Sequence, residues 1–139
     1  MNYTSIEQSK KLLELGLNPE SADMIHWKMP KDEYYEHENI IWIDSVNTLR
    51  RKGLVGFDET RMEIIPAWSL STLLELMHRI GEQNATLECC TDDMGKVVSY
   101  TIEYWNVKNV GYYNTAIEAA YSMVIWLLEN GYIKKNPAK

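Results

Sequence analysis

Cysteine is scarce in this chain. Two occur among 139 residues, Cys89 and Cys90, and they are neighbours. A bridge between adjacent cysteines is strained, so they read as reduced thiols of a cytoplasmic protein and exclude a disulfide framework. Phenylalanine occurs once, against five Trp and nine Tyr. The aromatic area therefore carries polar edges almost throughout, which suits mixed cores and binding surfaces. Basic charge is also short: 14 Lys and Arg face 20 Asp and Glu, for a net charge of −6. A basic patch is the usual footprint of nucleic-acid or anionic-lipid binding, and the short run Arg50-Arg51-Lys52 fits a helix C-terminus better. Neither nucleic acid nor membrane is an expected partner. The longest apolar run, Met123 to Leu128, is far too short to span a bilayer. The opening MNYTSIEQSKK is polar from the outset and has no signal-peptide pattern.

Chemical signatures are equally sparse. His26, His37, His78, Cys89 and Cys90 are the soft-metal candidates, and none of them falls into the C-x₂₋₄-C or H-x₃₋₅-H spacing of a zinc site. Glu33, Glu36 and Glu38 lack the calcium-loop pattern. Asp92-Asp93 occupies a turn, where Asp is favoured for geometry alone. Ser69 and Ser71 are not in a nucleophile elbow, and no phosphate-binding or dinucleotide fingerprint is present. Alternation along a strand gives Cys89 and Cys90 opposite faces, one buried and inert, the other more exposed. No catalytic residue, metal or cofactor is assigned.

What is present is a strong last helix, TAIEAAYSMVIWLLENG, from Thr115 to Gly131. Thr115 and Glu118 form a capping box. Gly131 supplies the left-handed C′ position, with Tyr132 placed to fold back on Leu127. Glu118, Ser122 and Glu129 make a narrow polar stripe that includes Ile125. Ala116, Ala120, Met123, Val124 and Leu127 lie opposite, flanked by Ile117, Tyr121 and Leu128 on one edge and Trp126 on the other. A helix apolar over most of its circumference belongs inside a domain.

Upstream, Ser5 to Leu15 is expected to be helical, with a Thr4/Glu7 capping box and Gly16 at its end, where Leu17 meets Leu12. Asn18-Pro19 opens a short turn, and Met24 to Met29 is a strand stopped by Pro30. Lys31 to Asn39 reads as an exposed loop, Ile40 to Ile43 as a second strand, and Asp44 or Ser45 as the cap of a short helix ending at Gly53. After a turn at Gly56 to Thr60 comes a strand at Met62 to Ile65. A helix capped by Ser69 follows, with Leu70, Leu73, Leu74 and Met77 on one face and closure at Gly81. Thr86 to Thr91 and Lys96 to Trp105 form a hairpin around Asp92 to Gly95, with Val98, Tyr100, Ile102 and Tyr104 on one face and a wetter face opposite. The tail 134–139 is expected to fray. The whole, 1–139, reads as one α+β domain: a small antiparallel sheet of three to five strands with helices on one face and the last helix central.

Three stretches, EQSKKLLELGLNPESADM (Glu7 to Met24), IIPAWSLSTLLELM (Ile64 to Met77) and TAIEAAYSMVIWLLENGYI (Thr115 to Ile133), resemble a family of small uncharacterised proteins of gut Bacteroidetes genomes, often in prophages or other mobile elements. The resemblance implies a cytoplasmic bacterial or mobile-element protein. It supplies no activity, cofactor or catalytic residue, and Lys31 to Arg61 falls outside it.

Two function classes follow. One is a non-enzymatic interaction or regulatory module for a protein partner, with Tyr34 and Tyr35 in the charged loop as contact residues. The other is a small-molecule-binding protein or minor enzyme with a Trp- and Tyr-lined cleft between sheet and helices. Trp27 and Trp68 complete the candidate binding residues. A deep pocket with converging polar groups favours the second class, and a flat apolar patch rimmed by charge the first.

Overall fold

The structure, a computed structural model, describes residues 2–29, 40–45 and 63–135, with the backbone alone for 27–29, 40–45 and 63. Helix α1 (Ile6–Glu14) starts one residue later than the Thr4/Glu7 pattern implies. Ser5 is the N-cap, and its side chain and that of Gln8 make the reciprocal capping box. Thr4 is instead fully buried. Its hydroxyl lies 2.8 Å from Ser9 Oγ and accepts the Trp68 N–H at 3.0 Å. A buried donor left unpaired is costly, and this one is satisfied by a residue 64 positions away.

Helix α1 ends as expected. The Leu17 N–H reaches Leu12 O and the Gly16 N–H reaches Leu13 O, both at 3.0 Å, which is the Schellman pattern. Gly16 has φ of +97°, and a Cβ there would lie 3.1 Å from Lys135 Cβ. Two independent constraints thus select glycine. Asn18 caps a single 3₁₀ turn, Pro19–Ser21.

The strands form two antiparallel three-stranded sheets. Strand β1 (Met24–Met29) is central in the first, between β2 (Ile40–Ser45) and β3 (Glu63–Ala67). Strand β2 continues through Asp44, opposite Ile25, and Ser45, opposite Met24. Strand β3 runs past Ile65 to Ala67 and contains Pro66, tolerated because β3 is an edge. Buried His26 of β1 places Nε2 2.7 Å from Thr4 O. A carbonyl only accepts, so Nε2 carries the proton. Asp23 receives the Ser69 N–H at 2.8 Å, and the Tyr3–Ser69 bridge ties the N-terminus beside it.

Helix α2 (Leu70–Glu75) is capped by Ser69 as expected but is shorter than its sequence pattern. It stops at Leu76, and Gly81 belongs to the following turn, closed by paired hydrogen bonds of 2.9 Å between Ile80 and Gln83. His78 therefore lies beyond the helix, and its carbonyl accepts the Tyr104 hydroxyl at 2.9 Å.

The second sheet is the expected hairpin, β4 (Thr86–Thr91) and β5 (Val97–Tyr104), extended by β6 (Lys108–Asn109). Asp92 Oδ1 accepts the N–H groups of Met94 and Lys96, both at 2.9 Å, so the acid shapes the turn. The register shifts between Cys90, opposite Ser99, and Thr91, opposite Val97. Val98 is the extra residue of this bulge and is 52% exposed, not buried with Tyr104 and Ile102 as simple alternation implied.

Helix α3 (Ala116–Glu129) packs on β5 and against α2. Thr115 caps it, accepting the Glu118 N–H at 3.2 Å. Met123, Val124, Leu127 and Leu128 are buried to 1% exposure or less, with Leu12, Trp68, Leu73, Ile102 and Tyr104 in the same cluster. The C-terminus is a Schellman cap, with the Tyr132 N–H on Leu127 O at 2.9 Å. The Tyr132 ring stacks on Trp126, 5.4 Å between centroids, and Ile133 is the buried residue after the cap. The fold is α+β, with the last helix central to the main core and the strands divided between two sheets. Among the described residues no helix is long and apolar enough to cross a membrane. The expected loop 31–39, the helix ending at Gly53 and the turn at 56–60 lie outside the described residues.

Candidate functional site

The side of α3 turned away from the core is not simply wet. Tyr121, Ser122, Ile125 and Trp126 are all half-buried there, and Glu129 is exposed. These residues follow one another at helical spacing over about 12 Å of helix, at 1.5 Å per residue. They line an open groove of about 340 Å³. Lys108 of β6, with Val110 and Tyr113 just beyond it, lines the same groove, and α1 contributes Lys11. The volume lies at the lower end of the range for small-molecule sites.

Local structure explains each position. Asn106 takes a left-handed conformation, with φ of +58°, in the turn that brings β6 back along β5. That return puts Lys108 opposite Tyr104 and holds Lys108 Nζ 6.0 Å from the centre of the Trp126 ring. At this range a cation is still attracted to the negative face of indole. The side chain of Asn109 then receives the Gly111 N–H at 2.7 Å, bending the chain so that Tyr113 pairs with Tyr100 through two backbone hydrogen bonds. Just beyond the helix, Tyr132 is the other partner of Trp126, stacked on its ring.

The groove mixes flat rings with hydrogen-bond donors. Lys11 and Lys108 are its cations and Glu129 is its anion. Among the described residues neither lysine has a carboxylate within ion-pair distance. Burial pushes the Tyr121 phenol up, so its hydroxyl remains a neutral donor well above neutral pH. The same cause raises the phenol of Tyr104, which lies in the core beneath.

None of the residues expected to bind is among the described lining of the groove. Trp68 is wholly enclosed in the core, where its indole N–H donates to Ser21 Oγ at 2.9 Å. Trp27 pairs through its backbone with Trp42 and Ile64. Tyr34 and Tyr35 fall outside the described residues. Cys89 is exposed and Cys90 half-buried, both as free thiols, so neither is the fully buried residue that alternation implied. Among the described residues no three His, Cys, Asp or Glu side chains are grouped so as to hold a metal ion. Sequence reasoning missed Lys11, Lys108, Val110 and Tyr113 altogether. The helix itself carried a signal: Ile125 inside the polar stripe, with Tyr121 and Trp126 at its edges, marks a face that is partly covered.

No protein-family model matches this chain, and no curated protein or solved structure matches it either.

Proposed function

We propose that this protein is a non-enzymatic binding protein whose site is the groove between α3 and the β6 segment, and that it takes a small organic ligand. The observation that carries this reading is the convergence of Trp126, Tyr113, Tyr121 and two lysines on one concavity of about 340 Å³. Rings supply contact area, while a few polar groups fix orientation, which is the usual composition of a ligand site. The test is a fragment screen followed by NMR on the full chain. Saturable shifts of the Trp126 indole and the Tyr121 ring support the reading, and a screen without a groove binder overturns it.

A second reading, a module for a protein partner, has its own support. Trp105 is 65% exposed and Tyr112 70% exposed, at the two ends of the segment that carries β6. Interfaces favour such rings for contact area at low entropic cost. A pull-down whose partner is lost in a Trp105→Ser, Tyr112→Ser variant supports this reading, and retention of the partner refutes it. In either case we place the protein in a bacterial cytoplasm, encoded by the bacterium or a mobile element, on the strength of the family resemblance and the two free thiols.

A further inference from the structure

We infer that the ligand of the α3 groove is an organic anion with a flat apolar body, an aromatic carboxylate in the simplest case. The inference rests on the binding-site reading above and adds the chemistry of the ligand.

The first argument is charge. The chain carries a net charge of −6, yet its groove presents two lysines against one glutamate. A local cationic excess on an acidic protein concentrates anions at that place. Both lysines also keep their charge available, since no described carboxylate neutralises either one. Lys108 is half-buried, and a carboxylate meeting a partly desolvated ammonium gains more than it would at an open surface.

The second argument is shape. Lys108 Nζ stands over the Trp126 ring, 6.0 Å from its centre, so cation and indole are held together in one wall. An anion held at Lys108 therefore brings whatever it is attached to against Trp126. Tyr113 and Tyr121 line the same space, and offset or edge-on packing against rings favours a flat partner. Phosphate or sulfate alone would satisfy the lysines and leave the aromatic lining unused. A neutral aromatic would do the reverse. A molecule joining both parts uses the whole site.

The third argument is the donor balance. Ser122 and the two tyrosine hydroxyls add donors to those of the lysines. Glu129, the only carboxylate among the described lining residues, is exposed, at the last position of α3. It repels a second negative charge, which favours a monoanion over a dianion.

The test uses 3-phenylpropionate and its neutral amide, 3-phenylpropionamide, titrated into the full chain and followed by the indole and tyrosine ring signals. The carboxylate is expected to shift Trp126 and Tyr121 saturably, and the amide to bind at least about fivefold more weakly. Lys108→Gln is expected to weaken the carboxylate about tenfold, a typical loss for one charge-assisted contact, and to leave the amide unchanged. Lys11→Gln, at an exposed position on α1, gives a second measure if Lys108→Gln proves to be misfolded by its amide spectrum. Equal affinity for acid and amide overturns the anion inference while leaving the groove as a binding site. Shifts that map away from the groove overturn it too, as does a preference for the acid that survives loss of both lysines. Failure of both compounds to bind overturns the inference together with the reading on which it rests.

Discussion

Replacing Leu127 by alanine tests the central role of the last helix. The side chain is 1% exposed and shares its cluster with Leu12, Trp68 and Leu73. Its backbone carbonyl takes the N–H groups of both Tyr132 and Ile133, at 2.9 and 3.3 Å, so the residue anchors the helix end from two directions. Leu127→Ala leaves the backbone bonds intact and removes the outer carbons of the side chain. Their transfer free energy is about 2.4 kcal/mol, at roughly 0.8 per methylene. A further ~1–2 kcal/mol follows from the cavity, because neighbours held by a capped helix and a paired strand relax little. The expected loss is therefore about 3.5–4.5 kcal/mol, a large share of a typical domain's stability and roughly 12–15 °C in melting temperature for this length. Ser122→Ala, on the groove side of the same helix and half-buried, is the control and should cost less than about 1 kcal/mol. Urea titration of both variants, fitted with a shared m-value, makes the comparison. Similar losses would refute the orientation of α3 described above, whatever their absolute size.

Thr4→Val should destabilise by about 1–3 kcal/mol in the same assay, because it strands the buried Trp68 N–H. Ser9→Ala should cost less, since that acceptor survives; the reverse order would sink the proposed network. Native-state thiol labelling should modify exposed Cys89 faster than half-buried Cys90, and mass spectrometry showing equal rates would contradict the strand geometry. The phenols of Tyr104 and Tyr121 are both raised by burial, so the fold favours their neutral forms. Their contribution is fully present below the unfolded value of about 10 and is lost as pH climbs from there through the folded values. Stability measured between pH 8 and 11 should accordingly fall above about pH 10. The fall should flatten in a Tyr104→Phe, Tyr121→Phe variant, and an unchanged slope would show that these groups are not responsible.

Much of the fold was legible because its boundaries are written in local chemistry. Gly16 and Gly131 each carry a left-handed residue after an apolar run, and both helices end there in Schellman caps. Asn18-Pro19, Ser69 and Thr115 start helical turns where their side chains suggest. Errors arose where a nonlocal partner decided the outcome. Thr4 and Ser5 are equally good caps in isolation, and Thr4 is drawn into the core by Trp68 and Ser9. The apolar face of α2 continues past its end, yet the turn at Ile80 and Gln83 and the bond from Tyr104 to His78 hold the following residues outside the helix. The bulge at Val98 is likewise invisible to a two-residue period. It leaves that one side chain exposed while Ile102 and Tyr104 stay buried.

The groove was hidden for a different reason. Its lining runs from Lys11 to Glu129, and the α1 contribution is far in sequence from those of the β6 segment and α3. Each residue taken alone has an ordinary explanation: a lysine on a helix surface, a tyrosine beside a strand, a serine on a polar stripe. Trp126 makes the difference, because it is tied to Lys108 on one hand and stacked with Tyr132 on the other. Trp68, more conspicuous in the sequence as the residue after a strand, has its one polar atom satisfied by Ser21 and its ring enclosed. A tryptophan with every requirement met inside the protein is a packing residue. One that is half-buried, beside a cation and facing open volume, still has contact surface to offer, and that difference puts the candidate site at Trp126.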